Sequence, residues 1–327
     1  MKKPMKVIAI GNFDGVHRGH RHLFQLGSGV AGHSAGHSAG HPAGHPAGID
    51  SLTAVTFEPL PIAVLKPDRP MGRLTPAIER AELLRSTCGV TDIIELTPTA
   101  ELLGRTPEAF IEQLRSECPF DVVVEGPDFR FGRNRSGSLG TLRELGARHG
   151  FAVIEAAPLT VTLTDGSTVE ARSSVARGLL EQGRVADAAC VFGRAYELRC
   201  VTVQGDQRGR TIGWPTANLN THGRILPADG VYAGEATLPD GRCVIAAISI
   251  GTKPTFDGMT RTCESTLLAA DGQAIELPLD WYGWNIRLRF MSWIRAQERF
   301  DSVHTLLDEL ERDRAHIIRA MSVSRAV

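Results

Sequence analysis

Two histidines three residues apart carry the clearest chemistry in this sequence. His17 and His20 lie in the run Gly11-Asn12-Phe13-Asp14-Gly15-Val16-His17-Arg18-Gly19-His20, which leaves the short apolar stretch Val7–Ile10 and enters a helical pattern. A glycine-rich turn in that position lets the backbone of Gly11, Phe13, Asp14, Gly15 and Gly19 approach phosphates, and a helix N-terminus favours anions. Each imidazole can donate a hydrogen bond to a phosphate oxygen as negative charge moves onto departing pyrophosphate. The run supplies no covalent nucleophile, so it reads as a site of direct nucleotidyl transfer with His17 and His20 as its catalytic groups. The plainer alternative is an Asp/Gly turn with two surface histidines. Further along, Arg172-Ser173-Ser174-Val175-Ala176-Arg177 leads into an apolar helical stretch. Ser173, Ser174 and the forked guanidinium of Arg177 suit a triphosphate at a helix start. Alone this is weaker, because a serine there is more often only a cap.

A second chemical segment is Gly205-Asp206-Gln207-Arg208-Gly209-Arg210-Thr211-Ile212-Gly213-Trp214-Pro215-Thr216-Ala217-Asn218. Its glycines make a loop whose amides can wrap phosphates, with Gly205, Arg208, Gly213 and Pro215 as the ATP-side candidates. Thr216 and Asn218, two apart on an extended chain, face one side and offer hard oxygens suited to Mg²⁺ bridging ATP phosphates. A long hairpin loop is the alternative. Glu264, read here at the start of an apolar strand, can take a proton from a hydroxyl attacking a γ-phosphate, or orient that hydroxyl. In isolation a strand-edge glutamate is usually a solvated charge.

These residues need two scaffolds. A chain of 327 residues exceeds one ordinary core, which predicts two domains. In the first half, strands expected at Val7–Ile10, Leu52–Phe57, Asp92–Leu96, Asp121–Glu125 and Ala152–Glu155 alternate with helices at Pro76–Thr87, Pro107–Glu117 and Ser138–Arg148. Short runs apolar at successive residues predict an α/β, doubly wound parallel sheet. Thr75 and Thr106, each before a proline, read as N-caps. The second half predicts strands at Glu197–Gln204, Val231–Ala236, Cys243–Ile250, Glu264–Ala269 and Asn285–Trp293, as an antiparallel barrel or sandwich. A final helix is capped by Asp301 or Ser302, with Val303, Leu306, Leu307, Leu310, Ile317 and Met321 on one face. The domains divide as 1–184 and 185–327.

The formal net charge of −1 gives no bulk attraction to nucleic acid or anionic membrane. No apolar run approaches the ~20 residues of a membrane span, and Val7–Ile10 is too short for a signal peptide core. A cytoplasmic protein is expected, with homo-oligomerisation left open. The six cysteines form no C-x-x-C pair, so reduced thiols are expected rather than a zinc site. Residues 31–48 repeat with period four and place His33, His37, His41 and His45 at metal-ligand spacing. Their glycines and prolines oppose a helix, which favours a flexible insertion over a metal site.

The segments GNFDGVHRGH, TFEP, GPDFRFG and the Ser/Arg lead-in, in this order, resemble the adenylyltransferase module of bacterial bifunctional riboflavin kinase/FAD synthetases. GDQRGRTIGWPTAN, GVYAG, SIGTKPTF, the Glu264 strand, Trp281-Tyr282-Gly283 and the run from Ile294 to Ser302 resemble the riboflavin kinase module of the same family. The resemblance covers nearly the whole chain and breaks at the His repeat. It implies a Rossmann-like nucleotidyltransferase domain followed by a six-stranded antiparallel β-barrel with a terminal helix. It implies riboflavin, FMN and ATP as substrates, Mg²⁺ as cofactor, Thr216 and Asn218 as the Mg²⁺/ATP residues and Glu264 as base. Asp128 and Arg295 become candidate flavin contacts. Three positions depart from the family pattern: Leu60 within Pro59-Leu60-Pro61 replaces a histidine, Asp128 an asparagine and Arg172 a serine. A lost donor and an added carboxylate, the latter offset in part by Arg172, predict slow adenylyl transfer, raised by Leu60→His with Asp128→Asn. The link from Leu268 to Asp280 is longer than usual. The rivals are a monofunctional flavokinase, a metal-storing protein built on the repeat, and nucleotidyl transfer to another acceptor.

Overall fold

The computed structural model describes residues 5–33, 49–68, 71–205, 213–255, 258–275 and 281–324. Arg208, the repeat histidines 37, 41 and 45, and the end of the 268–280 link lie outside the described residues. By packing, the chain divides into two compact units, Met1–Val161 with Glu170–Ser173, and Thr162–Val169 with Ser174–Val327.

The first unit runs β1 (Met5–Ile10), α1 (Arg18–His33), β2 (Ile49–Phe57), α2 (Pro61–Leu65), α3 (Ala77–Cys88), β3 (Asp92–Leu96), α4 (Ala100–Leu103), α5 (Pro107–Glu117), β4 (Val122–Glu125), α6 (Leu139–His149) and β5 (Ala152–Glu155). The five strands form a parallel sheet in the order β3-β2-β1-β4-β5. Alternate residues of β1 enter opposite cores. Val7 and Ala9 pack with Phe24 and Leu84, and Ile8 and Ile10 pack with Ile111, Leu114 and Leu142. A strand buried on both faces must be apolar at successive positions, which is the pattern its sequence shows. The strand order reverses between β1 and β4, and in open α/β sheets such a switch point opens a crevice at the carboxyl ends of the strands.

The two threonine caps come out differently. Thr106 caps α5, its Oγ1 accepting from the Ala109 N–H at 3.2 Å. Thr75 does not cap α3, whose N-cap is Pro76 without a side-chain bond. Its hydroxyl is drawn instead into the Gly11–Gly15 loop.

Two strands, β6 (Thr160–Thr162) and β7 (Thr168–Glu170), pair as a small sheet. There follow α7 (Ser173–Glu181), α8 (Val185–Phe192), β8 (Tyr196–Val203), β9 (Ala217–Asn220), β10 (Gly230–Thr237), β11 (Cys243–Thr255), β12 (Gly258–Leu268), β13 (Asn285–Ala296) and α9 (Val303–Ser324). Six strands close into a barrel in the order β10-β11-β12-β9-β8-β13, with antiparallel pairing. Closure removes the unpaired edges a sandwich would keep. At Gly234 a Cβ would fall 2.1 Å from the Arg289 carbonyl oxygen, beside a register shift between β10 and β13, so only glycine fits that bend. Strand β9 was not among the expected strands, because its first two residues, Ala217 and Asn218, sit inside the segment read for phosphate binding. Glu264, expected at a strand start, stands in the interior of β12.

Ser302 caps α9, accepting from the Thr305 N–H at 3.1 Å. Ile317 and Met321 bury against Val231, Ala233, Ile245, Ala247 and Leu268 on the barrel. Val303 departs from the expected apolar face and is 57% exposed. Near the middle of the helix, buried Asp313 takes two hydrogen bonds from Arg295 at 2.8 and 2.7 Å, tying α9 to β13. Among the described residues no helix is long and apolar enough to cross a membrane, and no group of three His, Cys, Asp or Glu could hold a metal ion.

Candidate active sites

In the first unit the chain turns sharply at the carboxyl end of β1. Phe13, Gly15 and Val16 have φ of 47°, 87° and 40°. For phenylalanine and valine this left-handed region is strained, and such strain persists only where surrounding contacts enforce it. Those contacts are present. Asp14 is buried and accepts from the Thr75 N–H at 3.0 Å and the Leu74 N–H at 3.3 Å. Thr75 Oγ1 accepts from the Gly15 N–H at 2.9 Å. Ser173 donates to the Asp14 carbonyl oxygen at 2.8 Å. From beneath, Arg80, 1% exposed, donates to the carbonyl oxygens of Asn12 and Phe57 and to Glu58. Burial lowers the Arg80 pKa, partly offset by Glu58.

The histidines stack at the start of α1, ring centroids 3.6 Å apart. His17 Nδ1 accepts from the His20 N–H, and His20 Nδ1 accepts from the His17 N–H, at 3.4 and 3.3 Å. With Nδ1 accepting, a neutral imidazole carries its proton on Nε2, so each ring's donor is Nε2–H. Gly19 is required by crowding: a Cβ there would lie 2.5 Å from the Ala171 carbonyl oxygen and 3.0 Å from His17 Nδ1. Gly11 and Phe13 also belong together, with the Phe13 ring 3.2 Å from the place of a Gly11 Cβ. Phe13 itself is core, packed on Phe24 and edge-on to His20.

These residues wall a cavity of about 280 Å³ between the loop, the ends of β4 and β5 and residues 170–172. Ile10, Phe13, Leu23, Pro127, Phe129, Pro158 and Leu159 give it apolar sides; His17, His20, Glu125, Asp128, Glu170 and Arg172 give it polar ones. Arg172 Nη2 pairs with Asp128 at 2.6 Å and its Nε bonds Glu170. Two of the three departures from the family pattern are therefore one ion pair. The Asp128 charge is met by Arg172. Leu60 is buried core at the entry to α2, 4% exposed, so a histidine there would have to be buried. Ser174 and Arg177 fall in the second unit, on α7.

In the second unit the barrel register assembles the other site. Asn218 on β9 stands opposite Glu264 on β12, and Glu264 stands opposite Ser249 on β11. Directly opposed residues share a face, so a hydroxyl, a carboxylate and an amide form one row. Gln297 extends it, donating to Ser249 Oγ at 2.7 Å and to the Ile250 carbonyl oxygen at 3.0 Å. Gly205 lies over the Asn218 side chain, which a Cβ would meet at 1.9 Å. Thr216 and Asn218 are both half-buried, with buried Ala217 between them. Gly213 has φ of 74° and Pro215 is half-buried just before Thr216. Arg295 is committed to Asp313 and to the Ala296 carbonyl oxygen, and its guanidinium sits 5.6 Å from the Phe300 ring centroid.

The FAD synthetase family model matches residues 1–169 and the riboflavin kinase family model matches residues 192–321. The bifunctional riboflavin kinase/FMN adenylyltransferase of Escherichia coli (strain K12) is 31% identical over 308 residues, covering 94% of this chain and 90% of that protein. The chain belongs to this family. The enzyme of the same description from Bacillus subtilis (strain 168) is 28% identical over 97% of this chain and 92% of its own length. Among solved structures, one described as a macrolide-efflux protein from Streptococcus pneumoniae superposes with a TM-score of 0.80 at 26% identity, covering 98% of this chain and 95% of that one.

Within this family frame, four participants escaped sequence reasoning. Thr75 looked like a cap, Arg80 lay unmarked within the helix expected at Pro76–Thr87, Glu125 looked like the end of a strand, and Ser249 lay unmarked within the strand expected at Cys243–Ile250. A carboxylate closing the apolar run Val122-Val123-Val124 was the one signal available for Glu125. The others became visible only through contacts across 60 or more residues, such as Gly15 to Thr75, or through barrel register.

Proposed function

We propose that the chain makes FMN from riboflavin and ATP in its barrel unit, and FAD from FMN and a second ATP in its parallel-sheet unit. The observation that carries this reading is that the two family matches fall on two units whose side chains independently suit the two chemistries. A monofunctional flavokinase is disfavoured by the intact, enforced loop around His17 and His20.

In the kinase step the riboflavin 5′-hydroxyl attacks the γ-phosphorus, its proton passes to Glu264, and ADP leaves. Glu264 stands in the interior of a paired strand, so its backbone is held while Ser249 and Gln297 order the neighbouring strand. Thr216 and Asn218 offer neutral hard oxygens beside the Glu264 carboxylate, a donor set that fits Mg²⁺, and Gly205 keeps Asn218 packed in place. Mg²⁺, when bound there, neutralises phosphate charge. Gly205, Gly213, Pro215 and Arg208 hold the ATP phosphates in this reading.

In the adenylyl step an oxygen of the FMN phosphate attacks the α-phosphorus of ATP and pyrophosphate leaves. The Nε2–H groups of His17 and His20 meet the developing negative charge, and no covalent enzyme intermediate is needed. The strained loop holds the anion site open before substrate arrives, so little reorganisation is left for the moment of reaction. Ser173 serves the phosphates and also braces Asp14. Asp128 acts at the mouth of the cavity. Arg295 acts on the flavin indirectly, by fixing α9 against β13. The protein works in the cytoplasm, where ATP and Mg²⁺ are supplied.

Incubating purified protein with riboflavin, ATP and Mg²⁺, and separating products by chromatography, tests both steps. FMN followed by FAD is expected. FMN without FAD, even from supplied FMN, would leave only the kinase.

A further inference from the structure

Glu125 is a carboxyl group where the fold calls for an apolar residue or a ladder bond. It ends β4 after three buried valines and is itself 4% exposed. The β1–β4 pairing registers Val7 with Val122 and Ile8 with Val123. Beyond it, the Ile10 N–H donates to Glu125 Oε1 at 2.5 Å. The side chain thus replaces a main-chain bond at the switch point and lets the strand ends part, which opens the cavity floor. Glu125 lines that cavity, and among the described residues its Oε2 makes no hydrogen bond.

We propose that Glu125 is a specificity-determining residue of the adenylyl-transfer site, its Oε2 facing an acceptor atom of the adenosine half of ATP. This rests on the proposed adenylyl transfer. The cavity, about 280 Å³ with apolar sides, lies just below the usual range of ligand sites, roughly 300–1,000 Å³. It suits a purine nucleoside and is too small to take a tricyclic flavin as well. Burial pushes the Glu125 carboxyl well above the usual carboxylate range, against a smaller lowering by the Ile10 N–H. The protonated form therefore persists to higher pH, and with Oε1 accepting, the proton sits on Oε2 as a donor. His17, His20, Asp128, Glu170 and Arg172 line the same cavity, and Glu155 stands opposite on β5 with its carboxylate paired to Arg143. These groups are present in every variant compared below.

The test uses the full chain and measures FAD formation from FMN, with riboflavin phosphorylation as internal control. Glu125→Gln keeps an acceptor for Ile10 and a donor for the cavity but cannot ionise. Glu125→Val removes both. In Glu125→Val the KM for ATP in adenylyl transfer should rise about tenfold, the value of one hydrogen bond, with kcat and the KM for FMN little changed. In the native protein the KM for ATP should climb as pH rises through the raised carboxyl pKa, and Glu125→Gln should flatten that climb. A rise in the KM for FMN instead, an unchanged Glu125→Val, or parallel pH profiles for native protein and Glu125→Gln would each overturn the assignment. Absence of FAD formation by the native protein would instead sink the adenylyl-transfer reading beneath it.

Discussion

The rim triad of Asp128, Arg172 and Glu170 makes the sharpest test of how this adenylyl site tolerates its unusual residues. Two carboxylates and one guanidinium leave one net negative charge at the mouth. Arg172→Ser makes it two, Asp128→Asn makes it zero, and the double substitution returns it to one. The Arg172 and Asp128 side chains are 46% and 69% exposed, so the pair itself contributes only about 0.2–1 kcal/mol to stability. Its effect on ATP is larger, because the ligand is multiply charged. One unit charge about 10 Å from another costs about 0.4 kcal/mol in bulk water and about 1.7 kcal/mol at an effective dielectric of 20. Against roughly two net ligand charges this is on the order of 1–3 kcal/mol, or about tenfold in KM for ATP. Arg172→Ser should therefore raise that KM about tenfold, Asp128→Asn should lower it by a similar factor, and the double variant should return close to native. The steady-state rate of FAD formation at several ATP concentrations reads the cycle, with the kinase reaction as control. The Arg172→Ser penalty should shrink at high salt, where screening acts over less than about 10 Å. If the double variant is no better than Arg172→Ser alone, Arg172 touches phosphate directly and the screening argument is wrong.

Three further outcomes are expected. Glu264→Ala should lower FMN formation by about 10²–10⁴ while adenylylation of supplied FMN continues; equal FMN production would remove Glu264 from the mechanism. A fragment of residues 160–327 should phosphorylate riboflavin, because Thr164 and Asp165 bond Asp187 and Arg184 within the second unit. A fragment starting near residue 188 should melt lower, since it discards buried Leu179, Leu180 and Val185, and equal melting temperatures would refute this. Deleting residues 34–47, after the end of α1, should leave both reactions within a few-fold; loss of activity rescued by a divalent transition metal would bring the metal reading forward.

The sequence by itself determined the fold class and most element positions. Strands buried on both faces must be apolar at successive residues, so β1, β2 and β4 announced themselves, and Thr106-Pro107 placed the start of α5 to the residue. It also singled out His17 with His20, and Thr216 with Asn218, as candidates, because a spacing of two or three residues is local. Tertiary structure alone decided what those spacings meant. It sent the Thr75 hydroxyl to the Gly15 amide instead of a helix end, since the strained loop needed an acceptor more than α3 needed a cap. It joined Asp128 to Arg172, 44 residues apart in sequence, as one ion pair. It closed the barrel, set Glu264 between Ser249 and Asn218 through register, and buried the Glu125 carboxyl at the switch point. Each of these depends on which distant segments meet, and periodicity along a chain carries no record of that.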